Sequence, residues 1–151
     1  MKNIRILFAL FFTAIFCVGF AQKLDAGLAK KLNADEYGMK NYILVILKTG
    51  PNKTTDKQKR DSLFRGHMNN IRQLSKAGKM IVAGPFEQND NQFRGIFIFD
   101  VKTKEEAAEL LKADPTVNEK IFEVEMYEWY GPAALPTYLK DQSKIEKNNI
   151  D

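Results

Sequence analysis

Six consecutive apolar residues, Tyr42-Ile43-Leu44-Val45-Ile46-Leu47, constrain this chain more than any other feature. A continuous run rich in β-branched residues reads as a strand buried on both faces. Such a strand demands cover on two sides. Ile43, Val45 and Leu47 point one way, and Leu44 and Ile46 the other. The segment Arg94 to Val101 repeats the pattern, with Ile96 and Ile98 opposing Phe97 and Phe99.

The neighbouring segments supply elements to pack against these strands. Thr49-Gly50-Pro51-Asn52 ends the first strand with turn chemistry, and Lys53 to Arg60 reads as a polar loop. Leu63, Phe64, His67, Ile71 and Leu74 recur at helical spacing, and Gly78 follows as a C-terminal cap, predicting a helix of roughly 16 residues. Lys79 to Phe86 predicts a second strand stopped by Gly84-Pro85, and Glu87 to Gln92 a polar hairpin loop. Thr103 and Glu106 have the spacing of a capping box at the start of a helix with the stripe Ala107, Leu110, Leu111. Asp114-Pro115 breaks that helix, and Asp114 suits the N-cap of a short turn from Pro115 to Lys120. Ile121 to Tyr130 predicts a fourth strand, ended with the domain by Gly131-Pro132. Outside this block, Leu24, Leu28 and Leu32 predict a short amphipathic helix over Lys23 to Asn33, and Leu135 to Lys147 is a weakly helical tail. The order β-α-β-β-α-β predicts an α+β, ferredoxin-like sandwich with a four-stranded antiparallel sheet and both helices on one face. The second apolar face then needs its own cover. A second subunit is the simplest one, making a two-fold homodimer, and the chain's own terminal segments are the rival.

Met1 to Ala21 has the form of a secretory signal: Lys2 and Arg5 at the start, an apolar middle, and small residues at Gly19 and Ala21. The apolar run of about 14 residues is short of the roughly 20 that a spanning helix needs. Cleavage after Ala21 would leave 130 residues with a formal charge of +2 instead of +4, and no cysteine, since Cys17 is the only one. The expected product is a periplasmic or secreted domain that leaves the membrane after cleavage and holds together without disulfides. The expected organisation is residues 1–21 as signal, 22–40 as an N-terminal helical extension, 41–131 as the domain and 132–151 as the tail.

Several landmarks accumulate along the domain. They are Gly66-His67-Met68 in the first helix, Gly78-Lys79 leading into Ala83-Gly84-Pro85-Phe86, and Arg94-Gly95 opening the third strand. Asp114-Pro115 follows the second helix, and Trp129-Tyr130-Gly131 ends the fourth strand. In this order the chain resembles the YCII-related family over about Asn41 to Tyr130. The resemblance implies a subunit that pairs face to face into a dimeric α+β barrel, with a cavity near the interface. It also implies a His–Asp dyad, which maps onto His67 and Asp114. Most of the family has no assigned reaction, and one branch looks like a lyase-type enzyme acting on chlorinated hydroxyquinols. The signal, the first helix and the tail lie outside the family's core domain and would mark an exported branch.

The residues themselves allow both a chemical and a plain reading. His67 is the sole histidine and faces inward, so it suits a general base or equally a hydrogen-bonded core histidine. Asp114, three residues beyond Leu111, could orient that imidazole as well as cap its helix. Arg94 offers a planar fork to an anionic substrate, or an ion pair to a neighbouring Glu. Phe86, Tyr127 and Trp129 could wall a pocket for an aromatic ligand, or belong to core or interface. Glu123 and Glu125 share a strand face with Tyr127 and Trp129, as barrel lining or solvated face.

One histidine and no mature cysteine do not make a Cys/His metal site, and no calcium loop, phosphate loop or nucleophile elbow is present. No cofactor or metal is called for. The small charge, and the missing aromatic-basic stacking motif, argue against nucleic acid. The expected function is a small-molecule protein using His67 and Asp114 for proton transfer of lyase or isomerase type. The alternative is a non-catalytic dimer that binds a ligand or partner.

Overall fold

The computed structural model describes residues 24–146. The segment Met1 to Ala21, expected from its sequence to be a secretory signal, lies outside the described residues together with Cys17. The elements are α1 (Ala26–Lys31), β1 (Met39–Thr49), α2 (Lys57–Lys76), β2 (Met80–Pro85), β3 (Phe93–Phe99), α3 (Lys104–Leu111), α4 (Pro115–Asn118) and β4 (Phe122–Pro132). A 3-10 turn, Leu135–Tyr138, leads into α5 (Leu139–Ile145). The four strands form one antiparallel sheet in the order β2-β3-β1-β4, an open mixed α+β architecture.

The apolar run of β1 occupies a central position, as its two-sided pattern requires. Ile43 lies opposite Phe99 and Val45 opposite Phe97 on β3, while Thr49 to Met39 pairs with Phe122 to Pro132 on β4. Ile43, Val45, Leu47, Phe97 and Phe99 build the main core with Met80, Ala107 and Leu111, and Ile71 and Leu74 of α2 pack onto it. Helices therefore cover this face.

Two boundaries depart from the sequence expectation. Helix α2 begins at Lys57, within the segment read as loop, and runs 20 residues. Asp56 caps it by accepting from Lys59 N. Its first turn is held by polar contacts, Lys57 with Asp61 and Lys59 with Glu119, so apolar periodicity had nothing to report there. Strand β4 continues through Gly131-Pro132 because β1 starts at Met39 and pairs with both residues. Pro132 is tolerated since β4 is an edge strand. Thr103 accepts from Glu106 N as expected, but the Glu106 carboxylate in turn accepts from Lys102 N, one residue before the cap.

The end of α2 follows the expectation closely. Gly78 adopts φ +68°, its N–H donates to Ser75 O, and Lys79 N donates to Leu74 O. These two bonds close the helix with a left-handed residue and turn the chain into β2.

The second face has a partial cover from within the chain. Leu135 and Leu139 pack against Tyr42, Ile81 and Ile98, and the Tyr138 hydroxyl donates to Ile81 O at 2.5 Å. The C-terminal segment thus contributes what its short length argued against. It does not reach everything: Leu44, Ile46, Phe93 and Ile96 are half-buried, and Phe86 and Tyr127 remain 44% and 47% exposed.

Candidate functional site

Helix α2 and the short α4 meet at a close contact that the side chain of position 66 controls. A Cβ on Gly66 would lie 2.5 Å from Pro115 Cγ. With glycine there, α2 comes close to the start of α4, and the adjacent His67 reaches the residue that caps α4.

That residue is Asp114, fully buried, with His67 also buried at 7% exposure. His67 Nδ1 lies 2.6 Å from Asp114 Oδ2. The other carboxylate oxygen, Oδ1, accepts from Thr116 N at 2.9 Å and from the Thr116 hydroxyl at 2.7 Å. Thr116 Oγ1 also approaches His67 Nδ1 at 3.2 Å. Burial pushes the Asp114 carboxyl up. The hydrogen bonds from His67 and Thr116 outweigh it and hold the group below its ordinary value. An ionised carboxylate only accepts, so the proton between the pair belongs to Nδ1, and in the neutral imidazole the lone pair is then on Nε2.

The rest of the ring is set by aromatic packing. Phe122 lies 5.6 Å from the imidazole centroid, Phe97 5.8 Å and Phe64 6.2 Å. Among the described residues, Asn70 Nδ2 is the one fully buried side-chain polar atom without a partner. His67 Nε2 also has no protein partner among the described residues, and it is not fully buried. The ring lines a cavity of about 1030 Å³ bounded by α2, the β2 and β3 ends and the C-terminal segment. An oriented imidazole with one free nitrogen at such a cavity can accept or deliver a proton.

The sequence-derived candidates divide between the two faces. His67 and Arg94 line the cavity, and Asp114 stands directly behind His67. Arg94 is not ion-paired to a Glu: its Nε donates to Thr49 Oγ1 at 2.5 Å. Phe86 packs on Phe93 and Trp129 on Tyr42, outside the cavity lining. Tyr127 donates to Glu125, which pairs with Lys48, also away from the cavity. The alternation of β4 sends Tyr127 and Trp129 to the face opposite Met126, and Met126 belongs to the helix-side core.

Thr116, Phe122 and the spacing role of Gly66 escaped sequence reasoning. Thr116 had a usable signal, since the second residue after an Asp N-cap donates its N–H to that cap. Of the three Phe around His67, Phe64 was legible from helical spacing on the same helix, while Phe97 and Phe122 had no signal because they come from β3 and β4.

Among the described residues no three His, Cys, Asp or Glu side chains gather into a metal-binding group, and no helix is long and apolar enough to cross a membrane. A family model for the YCII-related domain matches residues 42–130. No curated protein matches the chain.

Proposed function

The chain belongs to the YCII-related domain family, and from that premise we propose that it acts on a small molecule by proton transfer, with His67 as general base or acid and Asp114 as its orienting partner. The observation that carries this reading is the asymmetry of one ring that lines the cavity: Nδ1 is held at 2.6 Å by a buried carboxylate, while Nε2 has no protein partner among the described residues. Elimination or isomerisation suits such a pair: in both, the imidazole takes a proton from a substrate carbon or oxygen, and then either returns it at another substrate atom (isomerisation) or keeps it as a double bond forms and the leaving group departs with the bonding pair (elimination). Arg94 completes the substrate-facing set. Phe86, Tyr127 and Trp129 are assigned to the opposite face.

The test is direct. ¹⁵N spectra of the imidazole should show the Nδ1–H tautomer at alkaline pH, and the Nε2–H tautomer would overturn the reading. Small carbon acids incubated in D₂O should gain deuterium in the presence of the protein. His67→Gln should remain folded and slow that exchange by roughly 10²- to 10⁴-fold.

A second reading has its own observation. Asp114 also caps α4 through Thr116 N, and three Phe rings pack on His67, so the pair fastens α2 to α4 whether or not it does chemistry. A non-catalytic ligand-binding protein would then show binding in the cavity and no His67-dependent exchange.

The surroundings of the site belong to the same proposal. Strand order β4-β1-β3-β2 supports the ferredoxin-like reading. The half-covered second face supports a homodimer of the α+β barrel kind, because Ile46, Ile96, Phe86 and Tyr127 remain accessible there. Ile96→Glu should convert a sedimenting dimer to monomer, and a wild-type protein that sediments as monomer would remove the dimer from the proposal. The Met1 to Ala21 segment supports export to the periplasm or beyond, with the membrane left behind after cleavage. The proposed protein works without cofactor, metal or nucleic acid.

A further inference from the structure

Taking the His67 cavity as the ligand site, we infer that its ligand is an amphipathic organic carboxylate, with an apolar, ring-sized body and one ionised end. The floor beside the imidazole is aromatic and aliphatic, made by Phe64, Phe97, Phe122 and Leu47. A flat apolar body stacks there without leaving polar groups unsatisfied. The rim is charged, and unevenly so. It holds Arg72, Lys76 and Arg94 against a single carboxylate, Glu146. Among the described residues none of these three cations has a carboxylate within ion-pair distance.

Arg94 is the anchor best prepared for the task. Its Nε is tied to Thr49 Oγ1 at 2.5 Å, and its two terminal nitrogens have no protein partner among the described residues. A guanidinium fixed at one nitrogen and open at the other two presents the fork that a carboxylate fits with two parallel bonds. The far wall comes from outside the family domain, since Leu139, Gln142 and Glu146 follow the last matched residue, 130. Selection among carboxylates therefore falls to a segment that this chain adds to the domain.

The experiment compares benzoate and phenylacetate with their neutral counterparts benzamide and phenylacetamide, by NMR titration of the purified protein. The two carboxylates should bind saturably, shift resonances around Phe97 and Phe122, and weaken as salt rises. Arg94→Gln should weaken them about tenfold or more, with Arg94→Lys in between. Glu146→Gln should tighten them about twofold, because it removes the only anion of the rim. Amides that bind as well as the acids, an Arg94→Gln variant with unchanged affinity, or no saturable binding by any of the four would overturn the inference. The acid–base reading fails separately. If benzoate binds through Arg94 while His67→Gln leaves deuterium exchange unchanged, the ligand class stands and the proton-transfer role falls.

Discussion

On the helix-covered face of the sheet, Phe97 and Phe99 are sealed at 2% and 0% exposure under α2 and α3. One residue along the same strand, Ile96 faces the other way and is only half-buried, and Ile98 is covered by a seven-residue helix and a 3-10 turn. The strands are common to both faces, so the difference lies in what packs on them. The 20-residue α2, with the shorter α3 beside it, buries that face and still brings polar residues together where the middle of α2 meets the start of α4, at His67 and Asp114. A short C-terminal segment buries only the part it spans. The buried His67–Asp114 pair sits where packing is deep enough to hold a charge in one position, and the other face is only partly covered.

The largest expected effect separates the faces energetically. Phe97→Ala should cost about 3–5 kcal/mol in chemical denaturation, whereas Ile96→Ala on the same strand should cost about 1 kcal/mol. Equal losses would mean that the second face is as fully packed as the first, and a loss for Ile96→Ala that grows with protein concentration would place a second copy on it. Next in size is Leu139→Ala, expected to lower stability by about 1 kcal/mol and to raise binding of a hydrophobic dye as Tyr42, Ile81 and Ile98 lose cover. An unchanged dye signal would show that the C-terminal segment contributes little to that face.

The smallest effect belongs to pH and to the helix-covered face alone. Asp114 is depressed in the folded protein, so its stabilising contribution is fully present above the ordinary value of 3.8 and is lost as pH falls through the lower folded value. Wild type and Asp114→Asn should therefore differ in stability at neutral pH and converge in acid. Parallel curves across that range would mean that the carboxylate gains nothing from His67 and Thr116.

Much of the architecture was legible in sequence because it depends on local pattern. The two-sided run Tyr42 to Leu47 announced a central strand, Gly78 a left-handed helix end, and Asp114-Pro115 a capped short helix, each through chemistry within a few residues. The first turn of α2 was not legible, since its contacts are charged and reach Glu119 from another element. The site divided in the same way. His67 and Asp114 could be picked out as the sole histidine and a cap on an apolar stripe, but Tyr127 and Trp129 were grouped with them by residue type when their strand face points elsewhere.

By itself the sequence determined the strands, the helices, their order and the residue types available for proton transfer, because hydrophobic period and capping act over short stretches of chain. Only the tertiary structure decided that Nδ1 would be held and Nε2 left open, that Arg94 would share the cavity, and that the C-terminal segment would wall it. Those outcomes turn on a helix approach permitted by one missing Cβ at Gly66 and on which side of a sheet each strand presents, and both are set by packing between segments far apart in the chain.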